Sequence, residues 1–180
     1  MVKDADNSPR GEIEDWTIVQ SPFHDLMACS PDGLWVRGGL GYEFKTKDCV
    51  RVPQTPEQIL DCEYLQCQTC LSFCRDFVWA WVLCYNRLDT GEFKAYVVVQ
   101  DEDIWKDLLE PEFVRFVDKT MSMAQLLYKE CQNGDADTPV DFEKFFDMHK
   151  YNSFFNGVKN ERRRLSTASK LGHVFPIKFK

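Results

Sequence analysis

The sequence predicts an α/β fold, a mixed central sheet flanked by helices, and three observations carry that prediction. Leu34–Val36 and Tyr42–Thr46 are strand-like runs around glycines 38, 39 and 41, and they read as a hairpin-like return. Residues 56–74 then place Ile59, Cys62, Leu65 or Gln66, Cys70 and Phe73 at helical spacing. Two more strand-like runs follow, Phe77–Asn86 and Phe93–Gln100, joined by the turn residues Leu88-Asp89-Thr90-Gly91-Glu92. A helix between strands must cross over a sheet, and the helical patterns after residue 100 supply further covering layers.

The elements can be justified in order. Residues 1–15 are polar and acidic and are expected to be flexible. Trp16–Gln20 alternates like a short strand, and Leu26–Ser30 leads as a second one into the turn Pro31-Asp32-Gly33. Thr55-Pro56-Glu57-Gln58 has the pattern of a capping box, with Pro at the first helical position, so the helix is expected to start at 56. Phe77–Asn86 is rich in aromatic and branched residues, as a buried strand would be. Asp101–Leu109 and Glu112–Gln132 read as helices separated by Pro111, with Asn133-Gly134-Asp135 ending the second. Asp141–Tyr151 reads as the last helix. The domain is expected to span 16–158, with 159–180 as a basic tail.

Composition narrows the function classes. With 180 residues, 44% hydrophobic content, 14 Phe and 5 Trp, the chain has enough apolar material for one folded domain. The longest apolar run, near Phe77–Tyr85, has strand length and is too short to span a bilayer. The polar N-terminus does not read as a secretory signal. Eight cysteines without such a signal lead to the expectation of reduced thiols in an intracellular protein, cytoplasmic or nuclear. Net charge is −7, yet residues 159–180 carry seven cationic side chains against Glu161, or +6, leaving −13 on the rest. A polyanion would therefore meet attraction only at the tail.

The chemistry concentrates at 28–47, ACSPDGLWVRGGLGYEFKTK. Asp32 sits in a turn, and eleven residues later Glu43 and Lys45 share one face of a strand, because side chains alternate with period two. Two carboxylates supply hard oxygen ligands for Mg²⁺ or Mn²⁺. Such an ion makes a water nucleophilic and stabilises charge on a phosphate, while a lysine ammonium orients the water or offsets that charge. The first expectation is therefore a metal-dependent phosphodiester-cleaving enzyme.

On these residues the chain resembles the PD-(D/E)xK nuclease superfamily, and more closely its lambda exonuclease and YqaJ-type viral recombinase branch. The motifs are A-C-S-P-D-G-L at 28–34, E-F-K at 43–45 and Y-L-Q-C-Q at 64–68, within a resemblance covering roughly 17–100. It implies a restriction-endonuclease-like core in which Asp32 and Glu43 ligate the metal with the Phe44 carbonyl. Lys45 matches the catalytic lysine, Gln66 the helix glutamine near the site, and Gln68 a second glutamine there. The resemblance further implies degradation of double-stranded DNA from an end with Mg²⁺ or Mn²⁺, often by a ring-shaped trimer. It also implies work beside a single-strand annealing protein in recombination. Relatives carry one more glutamate on an upstream helix; here only Glu12 and Glu14 precede Asp32.

Blander readings stand beside these. Asp32 can cap its own turn, and Glu43 with Lys45 can be an ordinary ion pair. Cys67, Cys70 and Cys74, with Cys62 nearby, are read as core packing, and His24, His149 and His173 show no ligand spacing. Arg162-Arg163-Arg164-Leu165-Ser166 reads as solvated tail, then as DNA-backbone contact, kinase site or nuclear address. Phe142, Phe145, Phe146, Phe154 and Phe155 are read as core or oligomer contact. The alternative function is a catalytically inert nuclease fold serving as a protein-interaction scaffold; a weaker third is an RNA-directed endonuclease.

Overall fold

The computed structural model describes residues 18–48, 51–133 and 169–178. The Asp141–Tyr151 helix, the Arg162–Ser166 motif, Glu12, Glu14, His149 and the five phenylalanines at 142–155 lie outside these residues. A short ladder comes first: β1 (Val19–Gln20) pairs antiparallel with β2 (Ala28–Cys29). The chain then builds a five-stranded mixed sheet from β3 (Gly33–Trp35), β4 (Leu40–Lys47), β5 (Ala80–Arg87), β6 (Phe93–Val99) and β7 (Val174–Pro176), in that spatial order. β4 and β5 are parallel and the other pairs antiparallel. A parallel pair needs a crossover, and α1 (Asp61–Phe73) supplies it. The fold is α/β, a mixed sheet flanked by helices, as the order of patterns predicts.

Period two divides the sheet into two faces. Trp81, Leu83 and Tyr85 of β5 and Tyr96 and Val98 of β6 are all buried in one cluster with Tyr64, Cys67, Leu71 and Phe73 of α1. Val82, Cys84 and Ala95, pointing the other way, form a smaller cluster with Leu40, Tyr42 and Ile177. α1 is buried nearly all round, which explains why its sequence carries little amphipathic contrast. Beyond its end, Phe73 meets Phe23, Trp105 and Phe113 with ring centroids 6.0–6.4 Å apart. Full burial of such side chains is worth roughly 1.5–3 kcal/mol each.

Two glycines allow the β3–β4 return. Gly39 has φ 66°, the left-handed region that glycine adopts without cost, and it ends a single 3-10 turn at Val36–Gly38. Gly41 lies under the Trp81 indole, where an added Cβ would fall 2.2 Å from Cε3. A side chain there would push the tryptophan out of the core.

Four sequence expectations are corrected. The helix starts at Asp61; Pro56–Gln58 forms only a 3-10 turn, and Thr55 makes no side-chain cap. Gln58 Oε1 instead accepts the Gln54 N–H at 2.8 Å, while Ile59 is extended and buried. Pro111 does not separate two helices. Asp101 caps α2 (Glu102–Ile104), a π-helical turn follows over Trp105–Leu109, and α3 (Glu110–Asn133) continues through the proline. The wide turn removes the need for the N–H that proline lacks. Among the described residues the first two strands are shorter than their patterns: β1 begins at Val19, leaving out Ile18, and β2 covers Ala28–Cys29 without Leu26, Met27 or Ser30, while Trp16 and Thr17 lie outside the described residues.

The fourth correction concerns the basic tail. Within 159–180, residues 169–173 form a helical turn and β7 completes the sheet beside β6. Lys170, counted among the solvated cations, is 1% exposed. Its Nζ donates to the Ile59 carbonyl at 2.7 Å and to Asp61 Oδ1 at 2.5 Å. Ser169 donates to Asp101 Oδ2 and shares a hydrogen bond with the Tyr64 hydroxyl. This segment therefore holds the start of α1 and the start of α2 together.

Lys170 is the buried member of this unit, and its removal takes away the charged donor to the Ile59 carbonyl and to Asp61. Lys170→Ala is expected to lower unfolding free energy by roughly 1.5–3 kcal/mol, the worth of a hydrogen bond to a charged group. Urea denaturation checks this, and a loss below about 0.5 kcal/mol, the size of a surface substitution, would contradict it.

Candidate active site

β4 is the strand on which the site is built. Glu43, Lys45 and Lys47 project to the face covered by α1, and Tyr42 and Phe44 to the other. Glu43 is 4% exposed. Its Oε1 accepts from Lys45 Nζ at 2.7 Å and from Gln66 Nε2 of α1 at 2.8 Å. Lys45 Nζ also donates to Gln66 Oε1 at 2.9 Å. Strand and helix are thus closed into a three-membered polar ring by side chains 21 and 23 residues apart.

Asp32 reaches the same place from the opposite edge. β3 pairs with β4 only over Leu40–Tyr42, so among the described residues no strand neighbours the edge of β4 beyond Tyr42. Asp32, in the turn just before β3, fills that position, and its Oδ2 accepts the Phe44 N–H at 2.7 Å. A strand residue sends its N–H and C=O to the same edge, so the Phe44 carbonyl also faces the Asp32 side. The Phe44 ring lies on the other face of the sheet, half exposed and stacked on Tyr42 at 6.4 Å between centroids.

The electrostatics follow from burial. Desolvation raises the Glu43 carboxyl above its ordinary range; the Lys45 hydrogen bond and charge oppose this, and the Asp32 charge adds to it. For Lys45, burial works against the charged form, but the hydrogen bond and charge of Glu43, with the Glu63 charge, outweigh it and hold the ammonium on. Glu43 Oε2 is buried and, among the described residues, has no hydrogen-bond partner. A buried carboxylate oxygen without a donor is costly, and a cation beside it removes that cost. Asp32, Glu43 and the Phe44 carbonyl are hard oxygen donors of the kind Mg²⁺ and Mn²⁺ take, and a small protein donor set suits an ion that keeps several waters. Among the described residues no three His, Cys, Asp or Glu side chains form a metal-binding group, so the carboxylate donors here number two.

The structure brings Asp32, Glu43, Phe44, Lys45 and Gln66 together. Gln68 departs from expectation: it is fully buried away from the ring, donating to the Val99 carbonyl and accepting the Asp101 N–H, both at 2.8 Å. It ties α1 to the end of β6. His24 accepts the Leu26 N–H within its own turn, and His173 lies 3.2 Å from Asp101.

One neighbouring unit was missed. Lys47 Nζ donates to Glu63 Oε1 at 2.5 Å, and Glu63 Oε2 accepts from the buried Tyr85 hydroxyl at 2.7 Å. The signal was present, since Lys47 follows Lys45 by one strand period and Glu63 precedes Gln66 by one helical turn. Compared with protein-family models, curated proteins and solved structures, the chain has no match.

The raised Glu43 carboxyl yields a pH prediction with a definite sign. A carboxylate raised in the folded state contributes stability below its ordinary value of 4.5 and loses it as pH climbs through the raised value. Glu43→Gln removes that titration. In chelator, its stability relative to the parent is expected to improve with pH above about 4.5, by about 1.4 kcal/mol per unit of raise. A pH series of urea midpoints checks it; a difference flat from pH 4 to 8 would contradict a raised Glu43.

Proposed function

We propose that the chain is a metal-dependent deoxyribonuclease of the PD-(D/E)xK type, in the lambda exonuclease and YqaJ-type branch, acting on double-stranded DNA ends. The observation that carries this reading is the junction of the Glu43–Lys45–Gln66 ring with Asp32 at one open strand edge. Asp32, Glu43 and the Phe44 carbonyl would hold Mg²⁺ or Mn²⁺. The ion supplies Lewis acidity, lowering the pKa of a bound water and stabilising charge on the scissile phosphate.

The chain's own residues do the rest. Gln66 and Glu43 fix the Lys45 ammonium at two points, so its remaining hydrogen-bonding capacity is aimed at a water or at the phosphate. Its charge is held by Glu43 and Glu63, and it offsets negative charge as the pentacovalent phosphate forms. Cys67, a thiol that feels the charges of Glu43 and Lys45, is fully buried and kept protonated by burial and by Glu43, which leaves water as the nucleophile. In-line displacement without a covalent intermediate follows.

A second reading, an inert nuclease fold serving as an interaction scaffold, draws on the exposed Phe44 and on the exposed Val114, Phe116, Met121, Leu126 and Tyr128 of α3. Digestion separates the two. Linear and closed-circular duplex DNA and a duplex RNA are incubated with Mg²⁺ or Mn²⁺, with chelator and Lys45→Ala as controls. The expected result is loss of linear DNA alone, abolished by chelator and slowed at least about 100-fold by Lys45→Ala. Cleavage that survives Lys45→Ala, or absence of any cleavage, overturns the assignment; loss of RNA alone moves the substrate class.

A further inference from the structure

Eight cysteines are more than the proposed chemistry uses, and three of them meet. Cys29 of β2 is partly exposed and packs against the main core. β2 packs directly on α1, and the side-chain hydrogen bonds that act on the Cys29 thiol come from Cys70 of α1 and from Cys74, the residue that caps the end of that helix. Cys70 and Cys74 are 2% and 0% exposed, and the Cys74 N–H donates to the Cys70 carbonyl at 2.9 Å, which sets the two one helical turn apart. Cys67, fully buried, feels the charges of Glu43 and Lys45 and is not among the thiols whose hydrogen bonds act on Cys29. Cys84 lies in the smaller cluster on the other sheet face, and Cys62 and Cys131 are exposed. Among the described residues no three such side chains form a metal-binding group, so the trio is not read as a metal centre.

We infer that Cys29, Cys70 and Cys74 form a peroxide-oxidisable site, in which Cys29 is the attacking thiol and a helix cysteine resolves it into a disulfide. Attack needs a thiolate near solvent, and Cys29 is the member of the trio that solvent reaches. Hydrogen bonds from Cys70 and then Cys74 pull its thiol well below the ordinary range, and the same bonds, with burial, keep the two helix thiols protonated. In the first step the Cys29 sulfur attacks hydrogen peroxide. An S–O bond forms, the O–O bond breaks, and hydroxide leaves to take a proton and become water. In the second step the sulfur of Cys70 or Cys74 attacks the sulfenic sulfur. An S–S bond forms, the S–O bond breaks, and the thiol proton leaves with the oxygen as the second water. Two thiols and one peroxide thus give one disulfide and two waters, and a dithiol reductant reverses the result.

The bond would fasten β2 to α1. Cys29 lies three residues before Asp32, and Cys70 lies one helical turn beyond Gln66. The inference does not rest on the nuclease reading, and its test needs no activity.

The full chain is treated with stoichiometric hydrogen peroxide, alkylated and digested with trypsin, and linked peptides are identified by mass spectrometry. The expected product joins the peptide 11–37, containing Cys29, to the peptide 52–75, with fragmentation placing the link at Cys70 or Cys74. Dithiothreitol dissolves the link and Cys29→Ser prevents it. In the double variant Cys70→Ser, Cys74→Ser the link is absent and dimedone labels Cys29 as trapped sulfenic acid. A chain that stays unlinked, a link through Cys62 or Cys67, or dimedone labelling confined to Cys62 and Cys131 overturns the proposal. The parent and Cys29→Ser alone decide it if the double variant does not fold.

Discussion

The Glu43 carboxylate, buried between β4 and α1, constrains much of what surrounds it. Taking an ionised carboxylate out of water costs several kcal/mol unless donors and a counter-charge meet it there. Lys45 meets it along the strand and Gln66 from the helix, so α1 has little freedom to slide or rotate on the sheet. The same register brings Glu63, one turn earlier, over Lys47 and Tyr85. A polar seam thus runs through what would otherwise be an apolar helix–sheet interface, fixing the alignment that hydrophobic contact alone leaves loose.

The sheet topology decides which part of β4 is open. β5 lies parallel to β4 along its whole length, while β3 stops after three pairs. The antiparallel partner is short because Gly39 turns the chain sharply and the preceding segment leaves the sheet at Pro31 and Asp32. The vacated edge is where a turn carboxylate can replace a neighbouring strand as acceptor for the Phe44 N–H. Far away, the segment at 169–177 steadies the arrangement, through Lys170 at the start of α1 and β7 at the sheet edge.

What was legible in the sequence was what local spacing determines. Period two put Glu43 and Lys45 on one face, and the resemblance carried by Y-L-Q-C-Q at 64–68 marked Gln66 as the helix glutamine near them. What was not legible depended on partners distant in sequence. The Thr55–Gln58 pattern looks like a cap, but Ile59 is held extended, its carbonyl taken by Lys170, 111 residues away. Lys170 reads as solvated because nothing nearby in sequence announces Asp61. Gln66 and Gln68 look equivalent as a pair, yet a two-residue step on a helix turns through about 200° and sends Gln68 to β6 instead. Pro111 signals a break, but the widened turn before it absorbs the missing donor.

The two lysine–glutamate pairs on β4 show how a functional group can be told from a structural one. Their burial does not separate them: side-chain exposures are 22% and 5% for Lys45 and Glu43, and 19% and 8% for Lys47 and Glu63. Hydrogen-bond completion does. Both oxygens of Glu63 are matched, one by Lys47 and the other by the Tyr85 hydroxyl, and the unit is closed. In Glu43 both donors converge on Oε1, and among the described residues the buried Oε2 has none. A fold gains nothing from leaving a carboxylate oxygen in that state, since a tyrosine of the kind that completes Glu63 would complete Glu43 as well. The incomplete pair is also the one beside the open strand edge and a second carboxylate. Incompleteness and an acidic neighbour both disfavour the ionised carboxylate in isolation, and both turn favourable when a cation shares the site.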